Sequence, residues 1–193
     1  VCVIIGQGGA GKSTLIGAML RAAAATGKSV AVIANDPAGE NGRGAILADR
    51  LRMPMNLNPE RILIRSLPVY GESIGVSGVS GQMASQLAEW FDLVLIETIG
   101  VGQNQTTTAP WVDERIAILA PGMGDHWQLR KSAIFQTADR LVINKSDLPT
   151  AVLFTAEVNE VLHDSRPDNP PVHCTSDADA NATAALLTKL LKI

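Results

Sequence analysis

Cysteine is scarce: the 193 residues hold two, Cys2 and Cys174. One pair makes no disulfide framework, so a secreted, cross-linked scaffold is excluded and a reducing, cytoplasmic compartment is expected. Aromatic side chains make up 4% of the chain, which leaves the core to aliphatic residues. No apolar run approaches the roughly 18 residues of a membrane-spanning helix. The opening stretch 1-5 meets a glycine cluster too early to be the apolar part of a signal peptide. The chain starts at Val1 without a Met, as a trimmed or excised domain would. Positive charge is not in excess either, since 16 Lys+Arg against 19 Asp+Glu leave a formal charge of -3. That balance argues against nucleic acid as a partner, because a phosphate backbone calls for a basic face. What is present is apolar area: 46% hydrophobic and only 18% charged residues are enough to offset the chain entropy of folding in one compact domain.

Short apolar runs alternate with segments of helical period. This is the pattern of an α/β domain whose mostly parallel central sheet is covered by helices on both faces. Strands are expected near 1-5, 29-34, 61-67, 93-97, 115-120, 139-143 and 171-174, about seven in all. Runs such as Leu93-Val94-Leu95-Ile96 are continuously apolar, as burial on both faces requires. Helices are expected over 12-25, 82-90, 151-162 and 181-191. Their apolar stripes read as core: Leu15, Ile16, Met19 and Leu20; then Met83, Leu87 and Trp90; then Leu153, Phe154, Val158, Val161 and Leu162; then Ala185, Leu186, Leu190 and Leu191. Segments 36-60 and 68-81 lack periodicity and are rich in Gly, Pro, Asn and Ser, which marks long functional loops.

Gly6-Gln7-Gly8-Gly9-Ala10-Gly11-Lys12-Ser13 fits the P-loop pattern and stands between a strand and an amphipathic helix, the context its mechanism needs. Glycines let backbone N–H groups and the positive end of the helix converge on a polyphosphate. Lys12 then supplies a charge for the β- and γ-phosphates, and the Ser13 hydroxyl is placed to ligate Mg²⁺. Asn144-Lys145-Ser146-Asp147 follows the strand Leu141-Val142-Ile143. The Asp147 carboxylate can accept from the N1–H and exocyclic amine of guanine, a donor pair that adenine lacks. Glu97-Thr98-Ile99-Gly100 closes the strand at 93-96. Its acid can hold Mg²⁺ directly or through a water, and the Gly100 N–H can approach the γ-phosphate. In a parallel sheet all strand C-termini share one edge, where ligands bind. Gly6, Asp36, Glu97, Pro121, Asn144 and Thr175 each follow an expected strand, so the motifs converge there. The candidate nucleotide-binding set is Gly8, Gly9, Ala10, Gly11, Lys12, Ser13, Thr14, Asn144, Lys145, Asp147, Thr175 and Ser176.

Further segments carry a family likeness. They are Asp36-Pro37, the run 44-53, Ile64-Arg65-Ser66-Leu67, Glu97-Thr98-Ile99-Gly100-Val101-Gly102-Gln103, Pro121-Gly122-Met123-Gly124-Asp125, Gln128, Lys131 and Ala138-Asp139. With them, nearly the whole chain resembles the MeaB/ArgK-type GTPases, G-protein chaperones associated with adenosylcobalamin-dependent methylmalonyl-CoA mutase. The resemblance implies a P-loop NTPase fold, GTP and GDP as substrate and product, and a mutase as partner. It places Ser13, Asp36, Asp49 and Glu97 around Mg²⁺, and Lys12, Asp36, Glu97, Gly100 and Lys131 in catalysis. It also implies that Asp125, Gln128 and Lys131 report nucleotide state to the mutase. The chain departs from the family at Asn35, Ala38-Gly39-Glu40, Tyr70-Gly71-Glu72-Ser73 and His126-Trp127. Residues 1-193 then correspond to the bare G domain without the family's N- and C-terminal helical extensions. A monomer or weak dimer is the expectation.

Three other readings compete. A nickel-insertion GTPase would want Cys and His after Glu97, where 101-108 offers none; His173-Cys174 is the one soft pair, expected to pack inside. A MinD-like ATPase would carry Lys where Gln7 stands. A nucleotide-binding adaptor with negligible turnover remains open, because no Gln or Arg is identifiable as a water-orienting or charge-stabilising group.

Overall fold

A computed structural model describes residues 1–37, 57, 58, 60–69, 76, 78–99, 110–123 and 132–192. Its strands are β1 (Cys2–Ile5), β2 (Val30–Pro37), β3 (Ile62–Val69), β4 (Leu93–Glu97), β5 (Glu114–Leu119), β6 (Arg140–Ile143) and β7 (Val172–Cys174). All form one sheet in the order β3-β2-β4-β1-β5-β6-β7, and every pairing is parallel rather than most of them. The chain runs outward from β1 to β2 and β3, returns through β4, then crosses β1 to lay down β5, β6 and β7. The loop after β1 therefore lies at the point where the strand order reverses, the usual ligand crevice of such sheets.

Helices are α1 (Lys12–Thr26), α2 (Gly78–Leu87), α3 (Ala133–Thr137), α4 (Ala151–Ser165) and α5 (Ala180–Leu190). One face of the sheet packs on α1 and α5 through Leu15, Ile16, Met19, Leu20, Leu186 and Leu190. The other packs on α2, α3 and α4 through Ala84, Phe135, Phe154, Val158 and Leu162. Alternate residues of β1 to β6 enter these two cores: Val30, Val32 and Ala34 of β2 face α1, while Ala31 and Ile33 face the opposite layer.

Several expectations need correction. The second helix spans 78–87 rather than 82–90, and Trp90 is 80% exposed, outside the core. Leu153 is 69% exposed and Ala185 is also on the surface, whereas Leu187 is buried. Trp90 lies past the end of α2, while on α4 and α5 neighbouring residues about 100° apart differ in which one meets the sheet. Strands β2 and β3 run into the segments read as loops, to Pro37 and Val69, because their backbones continue to pair. The short α3 was not anticipated; at 5 residues it is too brief to show a period. Cys174 is exposed rather than packed, since β7 is an edge strand. His173 is half-buried beside the Arg140 guanidinium, 2.7 Å from Nη1 to Nε2. Burial pushes the Cys2 thiol up to about 12, leaving a packed and unreactive group.

At the edge remote from the crevice, Asp92 clasps the starts of β2 and β4. Its carboxylate accepts from the Ser29 backbone N–H at 2.8 Å, the Ser29 hydroxyl at 2.8 Å and Lys28 Nζ at 3.0 Å. These bonds hold its pKa down to about 2 against an ordinary 3.8. A depressed carboxylate pKa contributes stability above its unfolded value and loses it as pH falls through the folded one. Asp92→Ala is therefore expected to lower stability at neutral pH by roughly 0.5–1 kcal/mol, the site being exposed. The difference from the parent should narrow in thermal melts as pH drops from about 5 toward about 2. A gap independent of pH would contradict this account.

Candidate nucleotide site

The P-loop turns between β1 and α1 on left-handed glycines. Gly11, at φ 88°, caps the helix so closely under Asn144 that a Cβ there would collide with the carboxamide nitrogen. Gly6 is equally confined, since a Cβ would stand 2.5 Å from the Ile118 carbonyl oxygen of β5. These two close approaches require glycine. Lys12 is 8% exposed and folds back on the loop, donating from Nζ to the Gly6 and Gln7 carbonyls at 3.0 and 3.1 Å.

Asn144 ties this loop to the far half of the sheet. Its backbone N–H donates to the Leu119 carbonyl at 2.8 Å, its Nδ2 donates to the Ala10 carbonyl at 3.0 Å, and its Oδ1 accepts from Thr175 Oγ1 at 3.1 Å. Lys145, in a left-handed backbone at φ 57°, donates from Nζ to the Gly9 carbonyl at 2.8 Å. Thr175 is fully buried, and its carbonyl accepts from the Ser146 N–H at 3.0 Å, so the turns after β6 and β7 form one wall. Ser176 beside it is buried as well. Between that wall and the P-loop opens a cleft of about 230 Å³ lined by Gly11, Thr14, Asn144, Lys145, Asp147, Leu148 and Asp177. Five of the seven belong to the candidate set; Leu148 and Asp177 escaped notice. The placement rule that selected Thr175 and Ser176 after β7 would have reached Asp177 one residue later.

The acids stand toward the other side of α1. Ser13 Oγ donates to Glu97 Oε1 at 2.7 Å, across 84 residues of chain. Glu97 is 1% exposed. Thr98 locks its position by donating from both backbone N–H and Oγ1 to the Ile4 carbonyl, at 3.1 and 3.0 Å. Asp36, also 1% exposed, lies on β2 two residues past Ala34, and Ala34 pairs with Glu97. By strand alternation Asp36 shares the α1 face of the sheet with Glu97 and Ser13. Among the described residues, no three His, Cys, Asp or Glu side chains form a metal cage. A magnesium ion needs none, for it keeps several waters and takes one or two protein oxygens plus phosphate. The hard-oxygen set of Ser13, Glu97 and Asp36 fits such an ion, and a hydroxyl whose proton goes to a carboxylate keeps its lone pairs for a cation. The remaining candidates, Asp49, Gly100 and Lys131, lie outside the described residues, as do Asp125 and Gln128.

The model of the family described as "Methylmalonyl Co-A mutase-associated GTPase MeaB" matches residues 1–191. The chain belongs to the MeaB family. A putative GTPase of Caulobacter vibrioides is 37% identical over 98% of this MeaB-family chain, which covers 60% of that relative. GTPase ArgK of Escherichia coli is 39% identical over 75% of the chain, covering 44% of ArgK. The fused isobutyryl-CoA mutase of Cupriavidus metallidurans is 34% identical over 92% of the chain, which corresponds to 17% of that protein. Among solved structures, the LAO/AO transport system kinase superposes with a TM-score of 0.65 at 26% identity, over 99% of this chain and 57% of that one. The chain thus spans between about half and three-fifths of the length of its first curated relatives, and the fold is that of a P-loop NTPase.

Replacing Asn144 by Ala would strand the Ala10 carbonyl and the Thr175 hydroxyl together. Asn144→Ala is expected to cost roughly 1–3 kcal/mol in denaturant unfolding. It should also weaken nucleotide binding in calorimetric titration, because the P-loop and the Asp147 turn lose their shared anchor. Unchanged affinity would show that the two walls are held by other contacts.

Proposed function

We propose that this chain binds guanine nucleotides with Mg²⁺ and hydrolyses GTP to GDP and phosphate. The observation that carries this reading is the cleft itself: a P-loop helix start and an Asp147 turn, joined by Asn144, face one cavity. Phosphates would lie on the backbone N–H groups of Gly8 to Thr14, with Lys12 moving from the Gly6 and Gln7 carbonyls onto their charge. Guanine would present its N1–H and amine to Asp147, with Asn144, Lys145, Thr175 and Ser176 holding the surrounding wall. Ser13, with Asp36, Glu97 and Asp49, would hold the metal, which when bound neutralises charge on the phosphate oxygens. Positioning and electrostatics rather than covalent chemistry account for turnover: water adds to the γ-phosphorus as its bond to the β-phosphate oxygen breaks. Gly100 and Lys131 complete the catalytic set that the family resemblance implies.

A partnership with an adenosylcobalamin-dependent acyl-CoA mutase is the second part of the proposal. Its support is the family description and the relative in which a similar segment occurs within a fused isobutyryl-CoA mutase. No described helix is long and apolar enough to cross a membrane; a cytoplasmic location is the remaining part of the proposal.

Two substitutions test the site. Asp147→Ala is expected to reduce the preference for GTP over ATP by at least about 100-fold, since the wrong base would no longer leave Asp147 covered and unpaired. Equal selectivity before and after would remove the base assignment. Lys12→Ala should weaken GTP binding by roughly 100-fold in calorimetry, as expected for lost charged hydrogen bonds. Phosphate release that stays at background with Mg²⁺, alone and with a candidate mutase, would leave a binding adaptor and refute the hydrolase.

A further inference from the structure

Asp36 occupies an awkward stretch of backbone. Pairing of β2 with β4 ends at Ala34 and Glu97, so Asn35, Asp36 and Pro37 have a neighbouring strand on one side only. That neighbour is β3, where Asn35 faces Leu67, Asp36 faces Pro68 and Pro37 faces Val69. The end of β2 thus reaches past β4 with a backbone partner on the β3 side alone, at the place where an acid is to be held against Ser13 and Glu97.

A side-chain bond adds a second hold on this stretch. Ser80, in the first turn of α2, donates from Oγ to Asn35 Oδ1 at 2.6 Å, and both residues are fully buried. Strand alternation turns Asn35 toward α2 and Asp36 toward α1, so a clamp on one face sets the residue on the other. Helix α2 is itself held firmly here: a Cβ on Gly81, next to Ser80, would stand 2.6 Å from the Trp111 ring. The Asn35 amide nitrogen has no acceptor among the described residues, so burying this carboxamide carries a desolvation cost that an apolar residue would avoid. The chain keeps a polar group at a position where packing alone does not need one.

We infer that Asn35, clamped by Ser80, is a positioning residue that sets Asp36 in the magnesium site. This inference rests on the proposed role of Asp36. A bond that acts through its neighbour should govern the metal dependence of the nucleotide complex, whereas a merely structural pair should govern stability alone.

The test uses Asn35→Val, Ser80→Ala and the double variant, with Asp36→Ala as control. Two quantities are read: the Mg²⁺ concentration giving half-maximal GTP hydrolysis, and the release rate of a fluorescent GDP with Mg²⁺ and with chelator. Each single variant is expected to raise the half-saturating Mg²⁺ roughly 10-fold, the scale on which residues supporting a metal ligand act. Each should speed GDP release in Mg²⁺ while leaving release in chelator unchanged. The double variant replaces both partners by apolar groups, so its melting temperature should return to within about 2 °C of the parent. Its Mg²⁺ requirement should stay raised. Recovery of the Mg²⁺ requirement together with melting temperature would overturn the inference, as would variants with parental Mg²⁺ dependence while Asp36→Ala shifts it. If Asp36→Ala itself leaves both readouts unchanged, the metal assignment of Asp36 fails and the inference falls with it.

Discussion

The carboxamide of Asn144 joins three strand ends that the chain separates widely. Its nitrogen holds Ala10 of the P-loop, its oxygen takes the Thr175 hydroxyl after β7, and its backbone bonds the end of β5. Everything in the cleft hangs on that junction. Gly11 must be glycine because Asn144 lies against it, and the cavity has its depth because the Asp147 turn is drawn toward the phosphate loop. Both ends of the amide are satisfied by protein, so the junction is rigid. A half-satisfied buried amide would instead cost stability and leave the walls loose.

A second constraint is buried charge. Lys12, Asp36 and Glu97 are almost wholly withdrawn from water, and isolated charges in such a place are expensive. The fold compensates two of them locally, with carbonyls for the Lys12 ammonium and a hydroxyl for the Glu97 carboxylate. Each of these bonds uses the same atom that the proposed ligands would engage. The Ser13 and Glu97 pair is thereby ordered in advance of the proposed cation, whereas Lys12 would exchange its carbonyls for phosphate. Asp147 differs, being exposed at the cleft, where the proposed base would have to displace water from the carboxylate.

The two layers of the sheet divide the work. Helices α1 and α5 cover the face that carries Ser13, Glu97 and, by alternation, Asp36. Helices α2, α3 and α4 cover the other, and through Asn35 and Ser80 that second layer reaches the strand that carries Asp36. Because adjacent residues of a strand point to opposite layers, a change under α2 can act above α1 without any contact with the nucleotide.

All seven strands and the main helices were legible from continuous apolar runs and helical spacing, because burial on both faces writes itself directly into composition. The P-loop and the Asp147 turn were legible for a similar reason: each is local, and its chemistry is contained in a few consecutive residues. Trp90 was misplaced because the helix ends before it, at Leu87, and Leu153 because a helix's own period does not say how its stripe is rotated against the sheet. The bonds of Ser13 with Glu97, Asn144 with Ala10 and Ser80 with Asn35 join residues 84, 134 and 45 positions apart. Local pattern thus determined which motifs the chain carries and at which sheet edge they stand, whereas the tertiary structure alone decided which polar groups meet. Those partners depend on strand order and register, which no stretch of neighbouring residues encodes.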